Sequence, residues 1–196
     1  IKKRHAEKAS EAGVDGLILV SAGAGGHGGT INPMSLVAEI KKFFKKTIIL
    51  SGCISTGQDI ASAMQMGADF AYMGTRFINT KESLADEGYK DMIINSKADD
   101  IVYTAAVSGV NANFLKPSLE AMGITEDMWK NSKKIDFGKE LSAAEAEAKA
   151  WKTISSAGQG VTSISDSPPV KDLVEKLKSE FVDSIKNQQA ILQKFS

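Results

Sequence analysis

A single histidine, His27, stands inside a run of glycines and small residues, SAGAGGHGGT, at positions 21–30. Glycine adopts backbone angles that are closed to other residues and lets a flat or charged ligand approach the peptide closely. An imidazole exchanges a proton near neutral pH, so it can take a proton from a weakly acidic carbon or donate to an anion. The segment is therefore a candidate ligand site with His27 as its candidate catalytic residue; a histidine that only caps a helix is the alternative.

Two further glycine segments, SGC at 51–53 and MGT at 73–75, each end an apolar run of strand length. In an eight-stranded α/β barrel, the loops after the last two strands commonly bind a phosphate through backbone N–H groups. The hydroxyl of Thr75 adds a possible donor. The pair of segments predicts a phosphate site, although glycines also end strands where nothing binds.

The elements that would position these segments follow a repeated order of strand, loop and helix. Continuous apolar runs are typical of strands covered on both faces in a parallel sheet. Three such units predict a parallel α/β fold, in which ligands bind where the strands end. The predicted strands are 15–22, 47–52 and 69–77; the predicted helices are 4–12, one opened by Asn32 and Pro33, 58–66 ended by Gly67, and 83–95.

The second half of the chain is less regular in pattern. Residues 99–118 are predicted to form a short extended insertion, and 125–139 a polar loop. An alanine-rich helix is predicted over 140–154, and a final amphipathic helix after Pro168 and Pro169.

Composition narrows the classes of partner. The chain of 196 residues has 24 basic and 24 acidic side chains, which gives no reason to expect nucleic acid or an anionic membrane as a partner. The lone cysteine, Cys53, suits a reducing compartment, and no apolar run reaches the roughly 20 residues of a membrane helix. A cytoplasmic protein is expected. The first residues, IKKRHAEKASEAG, read as the middle of a helix, so the chain is expected to be the downstream part of a longer protein.

Several other side chains have ordinary expected roles. Cys53 has no histidine near it in sequence and is expected to be a small buried residue. Arg76 and Lys81 are expected to pair with Glu82 at the surface or with a phosphate. His5, on the charged first helix, is expected to be solvated. No spacing typical of metal ligands appears in the sequence.

Taken together, these motifs resemble the nitronate monooxygenases, formerly called 2-nitropropane dioxygenases. The segments that carry the resemblance are AGAGGHGGT at 22–30, LSGCISTGQDIASAMQMGAD at 50–69, YMGTRFINTKES at 72–83 and AWKTISSAGQGV at 150–161. The resemblance implies an FMN-dependent TIM (β/α)8 barrel that oxidises alkyl nitronates, such as propionate 3-nitronate, with molecular oxygen to a carbonyl compound and nitrite. Its substrates would be small molecules, and a homo-oligomer is possible.

The resemblance also assigns site residues. The histidine of the family falls on His27. The contacts with the flavin and its phosphate fall on Gly25, Gly26, Ser51, Gly52, Cys53, Gly74 and Thr75. Cys53 stands where many relatives have a second glycine, and Tyr72 where many have glutamine.

The resemblance implies only part of a barrel in this chain. Residues 1–98 would be the C-terminal half of an FMN-binding barrel, 99–139 an insertion on the substrate side, and 140–196 helices packed on the barrel. Three βα units cannot close an eight-stranded barrel, so an inactive fragment is one alternative function. An FMN-dependent enoyl-acyl carrier protein reductase, which uses the same glycine–histidine segment, is another. The inosine monophosphate dehydrogenase type of barrel is disfavoured, because it needs a nucleophilic cysteine where this chain has His27.

Overall fold

The computed structural model describes residues 2–130 and 154–195. The strands are β1 (Gly16–Val20), β2 (Gly26–His27), β3 (Thr47–Ser51), β4 (Phe70–Tyr72), β5 (Ile101–Thr104) and β6 (Ala112–Leu115). The helices are α1 (Lys3–Glu11), α2 (Pro33–Lys41), α3 (Gly57–Met66), α4 (Thr75–Ile78), α5 (Glu87–Asn95), α6 (Lys116–Ala121), α7 (Glu126–Lys130) and α8 (Val170–Leu192). The helix predicted over 140–154 lies outside the described residues, apart from its last position.

A three-stranded parallel sheet forms the centre of the fold. Its strand order is β1-β3-β4, with Leu19 level with Leu50 and Leu50 level with Ala71. Helix α2 connects β1 to β3, and α3 connects β3 to β4. The predicted succession of strand, loop and helix in a parallel α/β arrangement is confirmed.

Two helix ends form where the sequence predicts them. The Asn32 side chain accepts a hydrogen bond from the Met34 N–H at 3.0 Å, and Pro33 occupies the first turn of α2. Proline suits this position, because its missing N–H would have no partner inside the helix. Helix α3 ends at Gly67, whose φ of +102° lies in the left-handed region.

The third unit differs from its prediction. The strand expected over 69–77 ends at Tyr72, and the chain turns into the short helix α4 at Thr75. The Arg76 side chain is buried and bonded to Asp166 at 2.8 Å, which directs this segment toward the C-terminal part of the chain.

Helix α5 begins four residues later than the predicted start at Ser83. The Asp86 carboxylate accepts the Tyr89 N–H at 2.8 Å and caps the helix at Glu87. The polar segment 125–139, predicted as a loop, contains helix α7 in its described part, and this helix has an ion pair between Glu126 and Lys130.

The short extended insertion predicted over 99–118 contains β5 and β6, which form a second, antiparallel sheet with β2. Its order is β2-β6-β5, so the two-residue strand from the glycine segment pairs with β6. Strand β6 is buried throughout, and Phe114 lies in a cluster with Ala106, Val107 and Leu119. The glycine segment is therefore not only a loop, because part of it is a sheet strand.

The main core fills one face of the parallel sheet. Buried side chains from β1, β3, α2 and α3 pack together there. The most enclosed members are Leu36, Val37, Ile40, Ile48, Leu50 and Ala63.

The other face of the parallel sheet is open, which differs from the prediction of strands covered on both sides. Ile18, Ile49 and Phe70 stand level across the three strands. Ile18 is 52% exposed and Phe70 58%, and Tyr72 on the same strand is 53% exposed. Apolar side chains in such a row normally pack against another layer.

Helix α8 packs against α3 at an unusually close approach around Gly57. The Glu180 carboxylate accepts the Gly57 N–H at 2.8 Å. A Cβ atom on Gly57 would collide with the Leu177 carbonyl oxygen and the Phe181 nitrogen. None of the helices in the described ranges is both long and apolar enough to cross a lipid bilayer.

We expect Gly57→Ala to lower the free energy of unfolding by about 2 kcal/mol, because the methyl group must push two helix backbones apart. Urea denaturation followed by circular dichroism measures this. The matched control is Gly88→Ala at an exposed position of α5, where the nearest atom is the Asp86 carboxylate at 3.2 Å and helix propensity favours alanine. Equal stability of both variants would contradict the close packing of α8 on α3.

Candidate functional site

A cleft of about 320 Å³ opens beside the carboxyl ends of β1, β3 and β4. It brings together residues that the sequence places in three separate segments. The predicted site residues that line it are Gly25, His27, Ser51, Gly52, Cys53, Gly74 and Thr75. Gly26 is not part of the lining and lies in β2, where it pairs with Asn113.

Position 52 has no room for a side chain. Its φ of +124° is in the left-handed region, and a Cβ atom there would collide with the Ser21 hydroxyl. That hydroxyl and the Ser21 N–H both donate to the Ser51 carbonyl at 2.9 Å. The end of β1 is thereby fixed to the end of β3 beneath the cleft.

Cys53 is exposed at the cleft, so the prediction of a buried cysteine is wrong. Its φ of +57° is the one positive value among the described non-glycine residues, and such a conformation costs an L-residue about 1–2 kcal/mol. The cleft wall behind the thiol partly desolvates it and raises its pKa, and the charge of Asp59 adds a smaller contribution in the same direction.

Backbone N–H groups of the residues after β3 and β4 are available as donors at the cleft. The N–H groups of Cys53, Gly74 and Thr75 have no hydrogen-bond partner among the residues that the structure describes. A cluster of backbone N–H groups of this kind suits an anion. At the start of α3, two N–H groups already have acceptors: the Gly57 N–H donates to Glu180 and the Thr56 N–H to Asp59.

A segment that sequence reasoning did not assign to the site, 156–160, forms another wall of the cleft. The Gly158 N–H donates to the Thr75 hydroxyl oxygen at 3.0 Å, and the Gln159 N–H donates to the Gly23 carbonyl at 2.9 Å. A Cβ atom on Gly25 would lie 2.9 Å from the Gly158 nitrogen. The glycines of GQG at 158–160 were the available signal, but nothing local in the sequence shows that they face the other loops.

Tyr89 anchors this segment from the outside. Its hydroxyl donates to the Ser156 carbonyl, and burial raises the pKa of Tyr89 to about 12. The phenol therefore stays protonated and remains a donor throughout the neutral range.

His27 reaches the cleft from the second sheet. It lies on β2 opposite Ala112 of β6 and is exposed. The buried Asn113 side chain donates to the Ala24 carbonyl at 2.6 Å, and the Tyr103 hydroxyl donates to the Gly28 carbonyl at 3.2 Å. The glycine segment is thus held on both sides of the histidine.

Arg76 does not take either of its predicted roles. Its guanidinium is 2% exposed and bonded to the carbonyl and the carboxylate of Asp166. Glu82 instead accepts the Val170 N–H at the start of α8. These contacts attach the C-terminal part of the chain to the third βα unit and engage the Arg76 guanidinium within the protein.

The fold and the cleft together define an α/β protein whose parallel strands end at a glycine-lined cleft beside a histidine. The chain belongs to the nitronate monooxygenase family, whose model matches residues 3–180. The nitronate monooxygenase of Paraburkholderia phytofirmans is 31% identical over 93% of this chain. The chain spans 53% of that relative.

Two solved structures are similar to the chain. The nitroalkane oxidase of Streptomyces ansochromogenes has a TM-score of 0.73 and 26% identity, covering 94% of this chain and 56% of the oxidase. FabK of Thermotoga maritima has a TM-score of 0.75 and 26% identity, covering 95% of this chain and 60% of FabK.

We expect Asn113→Ala to lower the free energy of unfolding by about 2 kcal/mol, because it leaves the buried Ala24 carbonyl without its donor. Amide hydrogen exchange of residues 23–28 should accelerate more than that of β3. Asn111→Ala, at an exposed position on the same approach to β6, is the matched control and should change stability by less than about 0.5 kcal/mol. A uniform change in exchange would contradict a local role for Asn113.

Cys53 should react with iodoacetamide along a pH curve displaced to higher pH than that of a free cysteine peptide. The raised pKa leaves less thiolate at a given pH, and the thiolate is the reactive form. The labelling rate, followed by mass spectrometry between pH 7 and about pH 10, measures this. Cys53→Ser should take up no label. A curve that coincides with the peptide or lies below it would contradict the desolvated position of the thiol.

Proposed function

We propose that this chain supplies the phosphate-binding loops and the catalytic histidine of an FMN-dependent enzyme that oxidises alkyl nitronates with molecular oxygen. The products are a carbonyl compound and nitrite. The observation that carries the proposal is the shared cleft: His27, Cys53 and Thr75 line one cavity although they lie in three separate segments of the chain. Membership of the nitronate monooxygenase family supports the class of reaction.

The residues of the cleft suit a phosphorylated flavin. The backbone N–H groups of Cys53, Gly74 and Thr75 would hold the phosphate, since they have no other partner among the described residues. No atom lies within 4 Å of the position that a Cβ on Gly74 would take, so a ligand has room there. The chemistry that a bound flavin supplies is electron transfer from the nitronate and onward to oxygen.

His27 has two possible tasks that depend on its proton. As a neutral imidazole, it would take the acidic proton next to the nitro group of a nitroalkane. As an imidazolium, it would hold the nitronate anion through charge and a hydrogen bond. The second task fits a substrate that arrives as an anion, and we assign it to this chain. Tyr72 also lines the cleft and would bound the space for the substrate.

The proposed fold is part of a β/α barrel. The open face of the sheet, with Ile18, Phe70 and Tyr72 exposed, would face the barrel interior and pack against strands other than those in the described residues. An upstream half-barrel would cover this face and pair with the edge strands β1 and β4. Since the chain spans about half of its relative, the complete active enzyme would need that half.

A visible absorption spectrum tests the function. FMN is added to two samples. The first is the chain alone, and the second is the chain co-expressed with the part of the Paraburkholderia relative that precedes the matched region. Propionate 3-nitronate is then added without oxygen. We expect bound flavin bands that change on addition of the nitronate, and nitrite after oxygen is admitted. Bands that respond only to NADH and an enoyl thioester would support the reductase alternative. The absence of bound flavin from both the chain alone and the co-expressed pair would overturn the proposal.

His27→Asn should lower the rate of nitronate oxidation by at least about a hundredfold while FMN still binds, because it removes the group that carries the proton. His5→Asn is the matched control, since His5 is exposed on α1, and its activity should be unchanged. A His27→Asn variant with the wild-type rate, or an equal loss of activity in His5→Asn, would contradict the assignment of His27.

A further inference from the structure

The hydroxyl of Ser55 is a buried polar group without a partner. Ser55 is 3% exposed, and its side-chain oxygen has no hydrogen bond among the described residues. Its backbone N–H, in contrast, donates to Asp59 at 2.9 Å. A buried hydroxyl that makes no hydrogen bond destabilises the fold, so its presence beside a cleft calls for a partner that arrives with the ligand.

The surroundings show where this hydroxyl lies. Ser55 and Gly160 both line the cleft. A Cβ atom on Gly160 would collide with the Ser55 oxygen and would lie 3.5 Å from the Cys53 carbonyl carbon. The hydroxyl therefore stands in the gap between the β3–α3 loop and the 156–160 segment, next to the Cys53 peptide.

We propose that the Ser55 hydroxyl donates a hydrogen bond to the phosphate group of the bound cofactor. This rests on the proposed function, because it assigns a side chain to the same phosphate site as the backbone donors of Cys53 and Thr75. A neutral hydroxyl adds a directed donor to a dianion, and hydrogen bonds to charged groups are the stronger ones. Gly160 keeps the gap open, since any side chain there would occupy the place of the hydroxyl.

Competing partners inside the protein are already engaged. The Asp59 carboxylate accepts the N–H groups of Ser55 and Thr56 and belongs to the capping box of α3. The Thr75 hydroxyl oxygen accepts the Gly158 N–H. The Ser55 hydroxyl is thus a buried donor that lines the cleft and has no partner among the described residues.

The test compares FMN with riboflavin, which lacks the phosphate, in the form of the protein that binds FMN: the chain alone or the co-expressed pair. Fluorescence titration gives both affinities. We expect Ser55→Ala to weaken FMN binding about tenfold and to leave riboflavin binding unchanged. Inorganic phosphate should raise the thermal midpoint of the wild-type protein more than that of Ser55→Ala. Ser62→Ala is the matched control, because the Ser62 hydroxyl bonds within α3 to Gln58.

Two further readouts separate this role from a structural one. Without ligand, Ser55→Ala should unfold at a higher urea concentration than the wild type, because it removes an unsatisfied buried group; a structural hydroxyl would give the reverse. Gly160→Ala, which leaves residue 55 a serine but places a methyl group against its hydroxyl, should also weaken the binding of FMN more than that of riboflavin.

The outcomes are decisive in either direction. Equal FMN affinity of Ser55→Ala and wild type, or an equal loss for FMN and riboflavin, would overturn the role of Ser55 while leaving the proposed function in place. Failure of the wild-type protein to bind FMN in both forms would overturn the proposed function, and the assignment of Ser55 with it.

Discussion

Stretches of backbone from three parts of the chain approach one another at the cleft more closely than side chains would permit, and the site depends on this approach. A Cβ atom on Gly25 would lie 2.9 Å from the Gly158 nitrogen, and one on Gly158 would lie 2.9 Å from the Gly25 nitrogen. Gly52 makes a similar approach to Ser21. Glycine at these positions brings backbone donors and a histidine around one small volume without any side chain filling it.

The remainder of the described structure supports these loops. The second sheet holds the glycine segment through Asn113 and Tyr103, and α8 holds the start of α3 through Glu180. The ion pair between buried Arg76 and exposed Asp166 attaches the C-terminal segment to the third unit. Each support comes from a part of the chain remote in sequence from the loop that it positions.

This remoteness explains which features the sequence could predict. The parallel order and the placement of His27, Gly52 and Gly74 follow from local patterns, since apolar runs and glycines mark strand ends. The wall at 156–160 and the role of Asn113 depend on contacts across many residues, for which no local pattern exists. The exposure of Cys53 is associated with its left-handed backbone conformation. The early end of β4 is associated with the burial of Arg76, whereas a charged side chain is normally predicted to lie at the surface.

The long separation of these contacts also bears on how the molecule assembles. The bond between Gly158 and Thr75 joins residues 83 positions apart, and that between Asn113 and Ala24 joins residues 89 apart. Closing such long loops has a larger entropic cost than forming local contacts. Contacts between residues far apart in sequence therefore slow folding. Neighbouring strands of the parallel sheet can associate early, whereas the cleft takes shape only when the last third of the chain has docked. A nascent chain that has not yet released its C-terminal segment would therefore have the sheet without the 156–160 wall of the cleft.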